Sequence, residues 1–284
     1  MGLGIEASVD DYGCSSIDDT LVGLCENRLI PWITCMDLDT SMGGNQSRFP
    51  ETRRSAVIDF NSGDPVLRDS AADALISAYW KPVYKYIRVR WSRSNEDAKD
   101  LTQAFFARAF EKEFFCDYDP QKARLRTYLR ACLDAFLARE DQAAGRIKRG
   151  GGVRTVSLDF ESAEGELRQH DVASAELQPE EYFHREWVRN LFAMAVDELK
   201  RECDQHGKHI QYRVFESYDL REDGDKPTYS SLAAELGIST ATVTNHLSAM
   251  RHALRQMVLE RIRETTATER EYKSEVRAVL GIEV

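Results

Sequence analysis

One stretch, residues 229–255 with the sequence YSSLAAELGISTATVTNHLSAMRHALR, admits few folds. Two short amphipathic segments flank a tight L-G-I-S turn, the pattern of a helix-turn-helix. Ser230 and Ser231 open the first segment, whose apolar positions are Leu232, Ala233 and Leu236. Gly237 ends it, because a residue without Cβ takes the left-handed conformation at no steric cost. Ser239 then stands where a hydroxyl can cap a second helix by accepting from an orphan backbone N–H. In that helix Val243, Leu247, Met250, Leu254 and Met257 recur at spacings of four and three, so one stripe is buried. The opposite face carries Thr240, Thr242, Thr244, Asn245, His246 and Ser248, with Arg251 and Arg255 beyond. Short polar side chains ahead of arginines suit a helix that enters a major groove, with polar groups on base edges and arginines on phosphates. The plainer alternative is a two-helix hairpin with a polar outer face.

A net charge of −10 is unexpected for a chain that meets nucleic acid, but it is unevenly spread. Residues 1–79 carry −8, residues 80–154 carry +7 and residues 155–284 carry −9. A basic block between two acidic ones fits a protein that touches nucleic acid locally and binds it weakly alone. With 284 residues and 42% hydrophobic composition the chain is long enough for two helical domains. No apolar run approaches the roughly 20 residues that span a bilayer, so no membrane partner is expected. The first residues lack the basic start and apolar core of a signal peptide, which points to the cytoplasm. The six cysteines form no C-x-x-C pair, in keeping with free thiols. Cys203, His206 and His209 are the one grouping with metal-like spacing; a fourth ligand is not evident, and no metal or cofactor is expected.

Taken in order, residues 1–60 mix Gly, Ser and Asp with a short apolar patch and read as a flexible leader. A first helical domain is expected over residues 66–150, an acidic linker over 151–181, a second domain over 182–263 and a helical tail over 264–284. Leu75, Ile76, Tyr79, Val83, Tyr86 and Ile87 share one helical face, although Pro82 should kink or divide that helix. The next helix buries Ala98, Leu101, Phe105 and Ala109 and leaves Asp97, Lys99, Asp100 and Gln103 outward. A third helix, expected over residues 122–142, pairs a wide apolar face with Arg124, Arg126, Arg130 and Arg139. Basic side chains interleaved with Tyr128 suit backbone phosphates and stacked bases; snorkelling arginines on a core helix would give the same pattern.

These pieces together resemble a bacterial RNA polymerase sigma factor of the extracytoplasmic-function (ECF) class. The DAKDLTQAFF run at residues 97–106 resembles the D-A-E-D-L helix of sigma region 2. The RLRTYL run at residues 124–129 resembles the start of the promoter-reading helix, and the helix-turn-helix resembles sigma region 4. The KRGGG run at residues 148–152 followed by SLDFE at residues 157–161 is similar to a divergent branch of that class. The resemblance implies that Asp97, Asp100, Leu101, Gln103 and Phe105 dock on the β′ clamp helices of core RNA polymerase, with the β flap a further contact. It implies that Arg124, Arg126, Tyr128, Arg130 and Arg139 read the −10 element and help open it. Thr240, Thr242, Thr244, Asn245, His246 and Arg251 would read the −35 element. The acidic linker would thread the polymerase toward its RNA exit, and an anti-sigma factor is a possible further partner. The chain would catalyse nothing itself: there is no phosphate-cradling glycine loop and no nucleophile–base constellation. Two other readings stand beside this one: a free-standing helix-turn-helix regulator without polymerase docking, and an anti-sigma or adaptor protein.

Overall fold

The computed structural model describes residues 55–111, 114–143, 158–170, 177–221 and 226–283. The expected leader up to residue 54, the basic glycine-rich run at 146–152, the stretch 171–176 and the turn at 222–225 lie outside the described residues. Ten helices and no strand are found among the described residues, so the fold is all-α. They are α1 (Ala56–Phe60), α2 (Pro65–Arg90), α3 (Asn95–Glu111), α4 (Leu125–Ala143), α5 (Phe160–His170), α6 (Pro179–Gln205), α7 (His209–Asp219), α8 (Tyr229–Leu236), α9 (Thr240–Glu264) and α10 (Glu269–Leu280).

Helix α2 begins where its sequence directs, with Asp64 accepting from the Val66 N–H at 2.9 Å and Pro65 in the first turn. Pro82 does not divide it. The ring removes the N–H that would bond the Ala78 carbonyl, and a buried side chain from α6 takes its place. Asn190 Nδ2 donates to the Ala78 and Ser77 carbonyls, each at 3.0 Å. A backbone defect on one helix and an amide on another thus answer each other, and this joins α2 to α6. Tyr79, Tyr86, Phe183 and Trp187 fill the seam, with Tyr79 stacked on Trp187 at 6.4 Å and Tyr86 edge-on to Phe183 at 5.7 Å.

The two helical groups expected as separate domains share α6. Its amino-terminal half lies on α2 and α4; its carboxy-terminal half lies on α7 and α9, where Cys203 Sγ reaches Met250 Sδ at 3.6 Å. All described helices fall within one compact unit. Ordered structure starts ahead of residue 66: α1 inserts Phe60 against Phe110 and Phe115, each at 5.4 Å.

The acidic segment also departs from a plain linker. Asp159 accepts from the Ser162 N–H at 3.1 Å and starts α5, and Phe160, Ala163 and Leu167 turn inward. Phe160 meets Trp80 and Tyr84 at 5.4 and 5.2 Å. Its acids face a cationic row on α2. Lys81 and Lys85 reach Glu166 at 2.8 and 2.6 Å, and Arg88 reaches Glu164 at 2.8 Å. That guanidinium, with the Tyr84 hydroxyl, holds the Glu164 carboxyl down to about 2.

Candidate nucleic-acid interface

The helix-turn-helix is built from its own small core. Val214 of α7, Leu232 and Ala233 of α8, and Val243 and Leu247 of α9 are buried together, with Tyr218, Tyr229, Leu236 and Ile238 against them. Ser230 and Ser231 lie in the first turn of α8, which Thr228 caps by accepting from the Ser231 N–H at 3.1 Å. Gly237 closes it at φ 65° and ψ 32°, and the Ile238 N–H returns to the Ala233 carbonyl at 3.0 Å. Ser239 caps α9 as its position suggested, accepting from the Thr242 N–H at 3.0 Å.

On α9, Thr240, Thr244, Asn245 and Ser248 are exposed, while Thr242 and His246 are half-buried at the edges of the same face. Burial lowers the His246 pKa, which favours the neutral ring. A neutral imidazole can donate or accept at a base edge, as the exposed Asn245 amide can.

Arg251 requires a correction. Its guanidinium is engaged in a bidentate pair with Asp219 at the end of α7, with both N–O distances 2.8 Å. The Asp219 side chain is fully buried, and the Arg251 guanidinium also lies 5.8 Å from the Tyr218 ring. A fork so used sets the angle between α7 and α9 instead of reaching for a phosphate.

On α3, Asp97, Asp100 and Gln103 are exposed and lie three residues apart, so they share one outward edge. Ser94 caps the helix, its hydroxyl oxygen accepting from the Asp97 N–H at 3.1 Å. Leu101 is half-buried, and Phe105 is inaccessible, ringed by Phe106, Phe114 and Phe136. Phe105 therefore holds the outward edge in place from beneath and cannot itself touch a partner.

On α4 the arginines differ from one another. Arg139 is exposed. Arg130 pairs with Asp134 at 2.6 Å, and Asp134 also accepts from the Tyr86 hydroxyl at 2.9 Å. Tyr128 is half-buried and donates to the Phe114 carbonyl at 2.9 Å. Arg126 is buried, paired with Glu275 of α10 and lying 5.3 Å from the Trp187 ring. Arg124 donates to Ser274 at 2.8 Å. The expectation of a freely presented arginine row thus fails at Arg126, because the Glu275 carboxylate of α10 takes up its charge.

Cys203 points into the core, whereas His206 and His209 are exposed and engage the Glu202 carbonyl and Asp204 separately. No group of three potential metal ligands is found among the described residues. No helix among them is long and apolar enough to cross a membrane.

No curated protein and no solved structure matches the chain. The profile of the family described as ECF sigma factor matches residues 60–260, a span that runs from the end of α1 through most of α9. A match over well more than half the sequence, on an all-helical fold, establishes that the chain belongs to the ECF sigma factor family, DNA-binding proteins of transcription initiation.

Proposed function

We propose that this chain binds core RNA polymerase through the outward edge of α3 and directs it to promoters whose upstream element is read by α9. Asp97, Asp100 and Gln103 supply the docking edge. Thr240, Thr242, Thr244, Asn245 and His246 meet base edges of the −35 element. The exposed part of α4, with Arg139 and the half-buried Tyr128 and Arg130, contacts the −10 element and favours its opening by holding unstacked bases. The cytoplasm is the compartment, and the KRGGG and SLDFE runs support a place in the divergent branch that carries them.

The observation that carries this reading is the outward polar face of α9 on a helix held rigidly from behind. Val243 and Leu247 anchor it to α7 and α8, and the Arg251–Asp219 fork fixes its angle. A recognition element on a rigid scaffold is what base readout demands. The weak affinity expected of so acidic a chain is overcome by tethering to polymerase, which raises the effective concentration at the promoter.

The test is run-off transcription with purified core polymerase on a library of promoter fragments. Selective initiation that depends on this chain is expected, and Asp100→Lys should abolish polymerase capture while the fold persists. Sequence-specific DNA binding without any capture of core polymerase would instead favour a free-standing regulator.

A further inference from the structure

Helix α10 lies beyond the span that matches the family, yet it makes the most concentrated set of polar contacts at the start of α4. Glu275 pairs with Arg126 and lies 3.8 Å from Arg124. Ser274 accepts from Arg124 at 2.8 Å. Glu271 accepts from the Tyr118 hydroxyl and, at 3.2 Å, from the Leu125 N–H that opens α4. Both glutamates are buried, at 5% and 3% exposure, as are Tyr272 and Val276 of the same helix.

Two guanidiniums, a hydroxyl and a backbone N–H converging on carboxylate oxygens are the donors that also recognise a phosphodiester. We propose that α10 is an autoinhibitory element: its Glu275 and Ser274 occupy the arginines at the start of α4 while Glu271 takes the Leu125 N–H beside them, and a nucleic-acid backbone reaches Arg124 and Arg126 only when α10 leaves. This rests on the assignment of α4 to promoter DNA made above. The physical basis is mutual exclusion. One pair of arginines cannot serve both the buried Glu275 carboxylate and a phosphate, so whatever binds there must displace α10, and α10 must weaken that binding.

The lever is thermodynamic. Arg126 gives up a buried pair and a 5.3 Å contact with the Trp187 ring when it turns outward, so the closed form is favoured in the free chain. Docking on polymerase, which supplies DNA at high local concentration, would shift that balance.

The experiment uses the full chain and a fluorescein-labelled single-stranded oligodeoxynucleotide of mixed sequence, followed by anisotropy at low and moderate salt. The E271Q/E275Q variant is expected to bind at least tenfold tighter than the unaltered chain and with a steeper salt dependence, since more cations meet phosphate. Affinity within twofold of the unaltered chain overturns the proposal. Because removing buried carboxylates can loosen the fold, hydrogen exchange of the unaltered chain supplies an independent reading. Amides of residues 269–280 should exchange faster at saturating oligonucleotide, and unchanged protection overturns the proposal. Capture of core polymerase by both proteins reports separately on the proposed function: its absence in both sinks the sigma assignment, whereas intact capture with unchanged DNA affinity sinks the α10 contact alone.

Discussion

Helices α4 and α9 look alike as sequences, each an apolar stripe backed by polar and basic residues, but the fold treats them differently. The polar face of α9 stays open because its supports are near at hand: Asp219 lies 32 residues from Arg251, and the apolar core comes from the adjoining α7 and α8. The start of α4 is held by partners nearly 150 residues away: Glu275 pairs with Arg126, and Glu271 accepts from the Leu125 N–H. A helix whose supports are local can be kept poised. One whose charges are neutralised from a distant segment depends on where that segment sits.

The sharpest way to break this comparison is at Arg251. If it serves the fold, Arg251→Ala leaves the fully buried Asp219 carboxylate without its cation, and a loss of about 3–5 kcal/mol in urea unfolding is expected. Asp219→Asn should cost less, because the Arg251 head retains some access to water. An exposed phosphate contact would instead change stability by no more than about 0.5 kcal/mol on truncation.

Acid should loosen the α4 side through His184. Burial, together with the Arg126 and Arg124 charges, lowers its pKa from 6.5 to about 3. The folded state therefore binds its proton more weakly than the unfolded chain does. Stability is fully present above pH 6.5 and falls toward pH 3, by up to about 1.4 kcal/mol per unit of pH. Glu164, held down to about 2, loses its contribution only as pH drops below its ordinary value near 4.5, so between 4.5 and 6.5 the slope comes from His184 and from His246, whose pKa burial also lowers, and a variant at position 184 separates them. His184→Phe keeps a ring beside Trp187 and should flatten that slope in a series of thermal melts; an unchanged slope would remove His184 from the account.

The join between the two regions can be tested at Asn190. Asn190→Ala leaves the Ala78 carbonyl, which Pro82 cannot serve, without its side-chain donor in the interior, for an expected loss of about 1–3 kcal/mol. In a Pro82→Ala background the same change should cost less, because the new N–H at position 82 can serve the Ala78 carbonyl. A double-mutant cycle with no coupling would show that the amide and the proline are independent.

What could be read from residues alone follows the range of the forces involved. Apolar periodicity locates α2, α3, α4 and the α8–α9 pair, and Ser239 and Gly237 mark their boundaries, because each is decided within a turn or two of helix. Helix α5 was not read from the sequence: Phe160, Ala163 and Leu167 recur at helical spacing, but the density of acids reads as a linker until the cations of α2 are known to face it. The roles of Arg126 and Arg251 were not legible. An arginine on an amphipathic helix looks the same whether it will meet a phosphate or a buried carboxylate, and only the tertiary fold brings Glu275 or Asp219 to it. Phe105 shows the complementary error, since a motif match names a residue without saying which way it points.

The smallest effect on stability belongs to the residue expected to matter most for specificity. Asn245 is exposed on α9, outside the apolar core, so Asn245→Ala should move the unfolding midpoint by no more than about 0.5 kcal/mol in free energy. Ser239→Ala, a step away in the same helix, removes a capping hydroxyl and should cost about 1 kcal/mol. The two substitutions thus separate two contributions to promoter use. Loss of the cap frays the first turn of α9 and should weaken initiation on all promoters alike. Loss of the Asn245 amide removes a donor and an acceptor that suit an adenine edge, and should relax preference at one base pair of the upstream element by roughly the 1–3 kcal/mol that a good bidentate contact supplies. Selected promoter libraries transcribed with each variant report the difference directly. A uniform loss with Asn245→Ala, indistinguishable from that of Ser239→Ala, would mean that α9 is held close to DNA without reading it there.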